Sequence, residues 1–464
     1  MSLDLTVPLG LAWFAAIGLA FFDGRRTWVG WAAVTALATT LLGTVAVAVD
    51  VVHSGPRSVV AGGWPTTIGI TLEADALGLT FALLSLAVLL VALTYEVLAG
   101  VEARGFPALV LAMATGLLGL CLTADLFNFY VFFEIAMVSA YVLTGYGDRP
   151  HQLRAATIFL IVNLLGSVLF LIAIAALYHL TGTLDMEQLA IRIPIVQTNP
   201  AILSATLIFV AFGIKLGLFP FHFWLAAVYT GTRPAVAAIL SGALVNIGSY
   251  GLLRIGGGLL PRELEQGAPV LFVLGAASIL YGGLQAISCG DPREVLAYSS
   301  IGQAGYILVC LAIGGEAGYA AAVLFAVTNA INKTLLFLVV PLRGPWVAAA
   351  VTVGAASVAG IPPAAGFFGK AAVFRSTVAD GNLVILTLLI AGSALSFIYM
   401  FQMVGRQDWD TGDSVGPIRS DSHLPATRII AGGVAAVVIG LGIWPEPLLV
   451  LSDAAAAALV GRLP

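Results

Sequence analysis

The sequence predicts an all-α integral membrane protein of about fourteen transmembrane helices, two of them broken by proline. Three observations carry that expectation. First, 464 residues hold only 20 Lys+Arg and 24 Asp+Glu, so charged types make up 9 % of the chain while hydrophobic types reach 60 %. A soluble protein of this length needs roughly 25 % charged residues to cover its surface. Second, the apolar residues fall into runs of about 20, the length that crosses a hydrocarbon core. Third, two runs are too long for one straight helix and hold proline near the middle, which removes a backbone donor and crowds the preceding turn. These features exclude a soluble enzyme, a disordered chain and a nucleic-acid binder, which would need a basic face.

In chain order the runs lie at roughly 5–22, 28–50, 74–98, 106–122, 126–146, 154–179, 201–230, 234–257, 268–287, 295–314, 317–341, 346–379, 382–404 and 429–456. The first has no basic segment before it and carries Asp4 instead, which fits a transmembrane helix and not a cleaved signal. The seventh is interrupted at Pro220 and the twelfth at Pro362-Pro363. No soluble domain is visible, so residues 1–464 read as one polytopic unit. The longest polar connections are 51–73, 180–200 and 405–427. The last carries Asp408, Asp410, Asp413, Asp421 and His423, whose spacing matches no calcium loop and reads as a solvated connection.

Cys121, Cys289 and Cys310 show no metal or CxxC spacing and read as small packing residues. No dinucleotide, P-loop, haem or nucleophile-elbow motif occurs, so no cofactor is expected, and a metal is left open. Orientation follows from arginine. Odd-numbered loops hold Arg25, Arg26, Arg104, Arg149, Arg154, Arg233, Arg293, Arg343, Arg406, Arg419 and Arg428. Even-numbered loops and the C-terminus hold Arg57, Arg192, Arg254, Arg262, Arg375 and Arg462. The excess puts the odd loops in the cytoplasm and both termini outside.

The basic residues divide by type. Seventeen are Arg, mostly between runs, and only three are Lys: Lys215, Lys333 and Lys370, all inside runs. A lysine can give up its proton where an arginine in practice cannot. Ionisable residues deep in a span are costly and by default mark an ion path. Glu134 sits about two turns beyond Asp125, which reads as an N-cap; Glu134 reads as a proton site or as the partner of a lysine. Its plain alternative is a structural salt bridge, but a buried ion pair seldom adds net stability over apolar packing. Lys215 lies five residues before Pro220 and Lys370 seven after Pro363, each beside a break that frees carbonyls. Paired interrupted helices in the two halves of a chain point to a transport site. Lys333 has Asn329 one turn earlier and Asn332 adjacent, amides able to hold water. For each lysine the plain alternative is snorkelling. His222, two residues past Pro220, reads equally as a relay or as a partner of freed carbonyls.

At these residues the chain resembles a known family: the antiporter-like membrane subunits shared by Mrp-type cation/proton antiporters and respiratory complex I. The stretches that carry the resemblance are DLFNFYVFFEIAMVSAYVL, GIKLGLFPFHFW, RPAVAAILSGAL, DPREVLAYSSIGQAGYI, NAINKTLLF and GIPPAAGFFGK, between about residues 105 and 380. LYHLTGTLDMEQL and the lack of a long C-terminal extension resemble the D-type member of the Mrp antiporter most, followed by the quinone-proximal pumping subunits of complex I. The resemblance implies two inverted five-helix repeats, 105–257 and 268–404, with 1–104 and 405–464 flanking them. It implies that Glu134 partners Lys215, that Lys333 lies on a central axis and that Lys370 stands on the exit side. It implies a transporter subunit rather than an enzyme, in a bacterial inner membrane, coupling H+ to Na+ export with other Mrp subunits and lipid around it.

Two departures stand out. The family usually has lysine where this chain has Asn246, and often histidine where it has Asn329; each leaves an amide that supports water in place of a titrating group. The connection between Lys333 and Pro362 is also shorter than usual. The rival readings are a pump subunit of complex I or a membrane-bound hydrogenase, and a scaffold without transport. Three buried lysines argue against the scaffold.

Overall fold

The computed structural model describes residues 5–60, 62, 69–147, 149–196, 198–406 and 424–461. Asp4, Asp408, Asp410, Asp413, Arg419, Asp421, His423 and Arg462 lie outside the described residues. Helices α1 (Thr6–Ala20) and α2 (Thr27–Ser54) lead into an antiparallel hairpin of β1 (Arg57–Val60) and β2 (Thr71–Ala74), in register from Arg57 with Ala74 to Val60 with Thr71. There follow α3 (Ala76–Ala99), α4 (Phe106–Leu122), α5 (Leu126–Thr144), α6 (Pro150–Thr181), a short α7 (Met186–Arg192), α8 (Thr198–Leu216) and α9 (Leu225–Gly231). The segment Pro234–Gly257 is one continuous helix in which α10 (Pro234–Ile239) and α11 (Asn246–Gly251) are each followed by a π turn, Leu240–Leu244 and Leu252–Gly257. The second half holds α12 (Pro261–Ser288), α13 (Pro292–Ile313), α14 (Gly315–Val339), α15 (Pro345–Ala359), α16 (Gly366–Asp380), α17 (Leu383–Arg406), α18 (Leu424–Ile443) and α19 (Glu446–Val460).

Among the described residues eleven helices are long and apolar enough to cross a membrane, and α1, α4 and α15 are shorter apolar helices. The chain is thus an all-α integral membrane protein, but eleven of the expected fourteen spans reach full length by this measure. The 51–73 connection is not structureless: it makes the β-hairpin. The run 429–456 divides into α18 and α19 at Trp444-Pro445, because Pro445 has no N–H to continue the ladder. Asp125 caps α5 as expected, its Oδ1 accepting from the Asn128 N–H at 2.7 Å. Asp75 does the same for α3 and Asp185 for α7.

Both proline breaks fall where expected, and the structure shows how their freed backbone is satisfied. At the first, Gly217 takes φ 66°, and Phe219-Pro220 is cis. The Trp224 indole N–H donates to the Ile214 carbonyl at 3.1 Å, and the Phe219 N–H donates to Ser278 Oγ at 3.0 Å. At the second, Gly360 takes φ 83° and Pro362-Pro363 is cis. There the Gly366 N–H donates to Ser357 Oγ at 2.9 Å, and the Ala365 N–H reaches the Val438 carbonyl of α18 at 3.1 Å. Lipid offers no partners, so each break is closed by neighbouring protein.

Helix α3 and the helix Pro234–Gly257 run antiparallel and are joined by ion pairs at both ends. Arg254 donates to both oxygens of Asp75 at 2.6 Å and to the Tyr250 hydroxyl at 3.1 Å. At the other end Arg233 meets Glu96 at 2.9 Å and also pairs with Glu102, with the Tyr146 hydroxyl donating to Glu96. Arg254 is therefore no loop marker. It lies inside the helix, 5 % exposed, and both it and Arg233 answer to carboxylates rather than to the side of the membrane. Removing one member of such a pair strands a buried charge at about 3–5 kcal/mol. Arg254→Met should therefore lower the melting temperature and yield in detergent sharply. Asp75→Asn/Arg254→Met, which keeps the α3 cap, should recover more than half of the loss; a single variant as stable as the parent would refute the clamp.

Candidate functional site

All three lysines are buried and bound in the same manner. Lys215, on α8 just before the first break, donates to the Asn163 carbonyl of α6 at 2.8 Å and to Ser167 Oγ at 3.3 Å. Its ammonium also lies 4.6 Å from the centre of the Phe133 ring. Lys333, on α14 and 0 % exposed, donates to the Leu296 carbonyl of α13 at 3.0 Å and to Ser299 Oγ at 2.8 Å. Lys370, on α16 after the second break, donates to the Ala359 carbonyl at 3.0 Å and to Ser396 Oγ of α17, and stands 5.8 Å from the Tyr306 ring centre. Each amine thus has one backbone carbonyl and one serine hydroxyl. Among the described residues every salt bridge uses arginine and none uses lysine.

Glu134 lies on α5 next to Phe133, half-buried, and attracts the Lys215 ammonium electrostatically without bonding to it. Its Oε1 is buried with no hydrogen-bond partner among the described residues. A small cavity beside Lys215 is lined by Asn163, Trp224, Leu240, Leu244 and Ile247 among others. The Asn163 side-chain oxygen is likewise buried and unpartnered. Asn246 is buried between the two π turns, its Nδ2 donating to the Gly242 carbonyl at 2.7 Å. Gly242 touches α14 closely: a Cβ there would collide with Thr334 Oγ1, beside Lys333. The helix carrying Asn246 therefore stands against the helix carrying Lys333 and also walls the Lys215 cavity. In the first π turn the Val245 N–H bonds the Leu240 carbonyl five residues back, and the Asn246 amide adds its bond to the Gly242 carbonyl of the same turn.

Asn329 and Asn332 each hold a buried side-chain oxygen without a partner near Lys333. His222 stacks on Phe219 at 5.5 Å and lies 4.3 Å from the Tyr281 ring centre, with Nδ1 buried and unpartnered. The freed carbonyls of the break are not its Nδ1 partners. Among the described residues no three His, Cys, Asp or Glu side chains gather into a metal cluster.

Several residues of the site were not singled out in the sequence. Asn163 and Ser167 on α6, Ser299 and Gln303 on α13, and Ser396 and Tyr399 on α17 supply the hydrogen bonds around the lysines. A signal was present. Ser393, Ser396 and Tyr399 recur every third residue in an otherwise apolar run, and Ser299, Gln303 and Tyr306 recur at four and three. Such spacings place polar groups on one face of a helix. The buried acids Asp75 and Glu96 carry no such signal, because they stand at span ends, where a carboxylate ordinarily faces water.

A bundle of apolar helices with two interrupted members, and with free amines buried at both breaks, defines a polytopic membrane protein of the ion-translocating kind. Residues 123–343 match the family profile described as NADH:quinone oxidoreductase/Mrp antiporter, TM. The chain is 32 % identical to the N subunit of the NADH-quinone oxidoreductase of Desulforudis audaxviator, over 94 % of each chain. It is 29 % identical to the putative antiporter subunit mnhD2 of Staphylococcus haemolyticus, over 95 % of this chain and 92 % of that one. It is also similar to a chain in the structure of the Mrp complex from Dietzia sp., at TM-score 0.87 and 25 % identity, covering 99 % of this chain and 98 % of that one. The chain belongs to this family of proton-antiporter-like membrane subunits.

Replacing a buried charge by an apolar side chain of similar size is often neutral or stabilising, because desolvation of the charge is relieved. Lys333→Met should accordingly assemble and melt within about 1 kcal/mol of the parent, or above it. A loss of several degrees in melting temperature would make the amine a structural tie instead.

Proposed function

We propose that this chain is the proton-translocating subunit of a multi-subunit Na+/H+ antiporter, moving H+ by way of Glu134, Lys215, Lys333 and Lys370. The observation that carries this reading is the common bonding of the lysines: each buried amine rests on neutral acceptors. A carboxylate partner would lock the ammonium, as Asp75 locks Arg254; a carbonyl and a hydroxyl hold it in place yet leave its proton free to move. Glu134 is the mobile counter-charge. Approaching Lys215, it holds the proton there; withdrawing, it releases the proton inward. Asn246, Asn329 and the orphaned amide of Asn332 support water between the lysines, and His222 relays protons at the first break. The interrupted helices supply the room and the freed backbone that such a path needs.

In this reading 105–257 and 268–404 are inverted repeats, with Lys215 and Lys370 beside the break of each. The chain sits in a bacterial inner membrane with both termini outside, among further antiporter subunits and lipid. A second reading has a specific basis: the relative named as a quinone oxidoreductase subunit covers nearly the whole chain, as the antiporter relative does. The same path would then serve a redox-driven pump, such as complex I or a membrane-bound hydrogenase, whose redox centres lie on other subunits. The subunits that co-purify separate the two, small antiporter subunits in one case and iron–sulfur and quinone-binding subunits in the other.

Everted vesicles carrying the complete complex test the path. Lys215→Ala and Glu134→Ala should each reduce Na+-driven proton movement by about two orders of magnitude while leaving the complex assembled. Undiminished movement in both variants sinks the proposal.

A further inference from the structure

We infer that Tyr399 is a proton-relaying hydroxyl linking Lys333 to the Lys370 position, oriented by Gln303; the inference rests on the proton-path reading above. Tyr399 lies on α17 and is 2 % exposed. Its hydroxyl stands 3.0 Å from Ser299 Oγ and receives the Gln303 amide N–H at 3.2 Å. Ser299 Oγ is in turn the acceptor of Lys333 at 2.8 Å. One turn before Tyr399, on the same helix, Ser396 holds Lys370. A single face of α17 therefore serves both amines, against a single face of α13 that presents Ser299, Gln303 and Tyr306.

The hydrogen directions follow from the groups. An amide NH2 can only donate, so Gln303 occupies an acceptor position of the tyrosine oxygen and leaves the phenol's own hydrogen for Ser299. The row is thereby set to deliver a proton toward Lys333. When Lys333 is neutral, Ser299 gives its hydroxyl hydrogen to Nζ and takes the phenol hydrogen of Tyr399. Among the described residues no hydrogen bond joins Tyr399 to Ser396 or Lys370, so in this relay a water between them gives one hydrogen to Tyr399 and takes the proton released by the Lys370 ammonium. One N–H bond forms at Lys333 and one breaks at Lys370, each oxygen between loses and regains one hydrogen, and a single positive charge has moved. Phenylalanine would fill the same space, so packing alone does not require the hydroxyl. Tyr229, also fully buried, shows the contrast, since its hydroxyl has no partner among the described residues.

The test uses the intact complex in everted vesicles, with Tyr399→Phe, Ser299→Ala, their double variant and Lys333→Ala assayed together. Tyr399→Phe should assemble and melt as the parent does yet lose at least about tenfold in proton movement. Because the two hydroxyls act in series, the double variant should lose no more than the worse single one. Normal movement in Tyr399→Phe, or losses that multiply in the double variant, overturns the relay. Should Tyr399→Phe fail to assemble, Ser299→Ala decides alone: the tenfold loss supports the relay and a normal rate overturns it. Lys333→Ala separates the relay from the path it belongs to. If it transports normally, the proton-path reading itself fails; if it is inactive while Tyr399→Phe is normal, only the relay fails.

Discussion

The constraint on which this structure depends is that lipid supplies no hydrogen-bond partners. Every backbone group freed by a break, and every charge drawn inside, must find its partner within the protein. The two proline breaks exist because Trp224, Ser278 and Ser357 reach the freed groups and because the α18 backbone accepts from Ala365. Without those partners each break would expose polar backbone at several kcal/mol per group. The interruptions are thus products of the surrounding helices as much as of proline.

The same constraint divides the buried charges into two kinds. Asp75–Arg254 and Glu96–Arg233 are closed pairs of opposite charge at the two ends of α3, and they fix the helix Pro234–Gly257 in place. Arginine suits that task, since its planar fork matches a carboxylate and holds its charge. The lysines are the opposite case. Their acceptors are uncharged, and the carboxylate that attracts Lys215, Glu134, keeps an oxygen unbonded. The arginines are thus tied to carboxylates, and the lysines rest on neutral acceptors. The Asn246 amide is oriented by its bond to a π-turn carbonyl, while the side-chain oxygens of Asn163, Asn329 and Asn332 have no hydrogen-bond partner among the described residues.

Much of this was legible in the chain alone. Scarcity of charge determined the solvent, the runs determined the helices, and Pro220 and Pro362-Pro363 determined where two of them break, since proline acts on its own backbone within one turn. The placement of Lys215, Lys333 and Lys370 inside apolar runs determined that these three amines lie buried among the helices. Asp125 as a cap was equally local. Only tertiary structure decided what each charge touches. Arg254 reads as a loop residue until α3 brings Asp75 to it from 179 positions away. Glu134 reads as a proton site or a lysine's partner, and only the packing of α6 shows that the hydrogen bonds of Lys215 go to Asn163 and Ser167. Partners are chosen by helix packing between segments distant in the chain, so the cations could be read from the sequence, whereas their acceptors showed only as polar residues recurring along a helix face, with no sign of which cation each would meet.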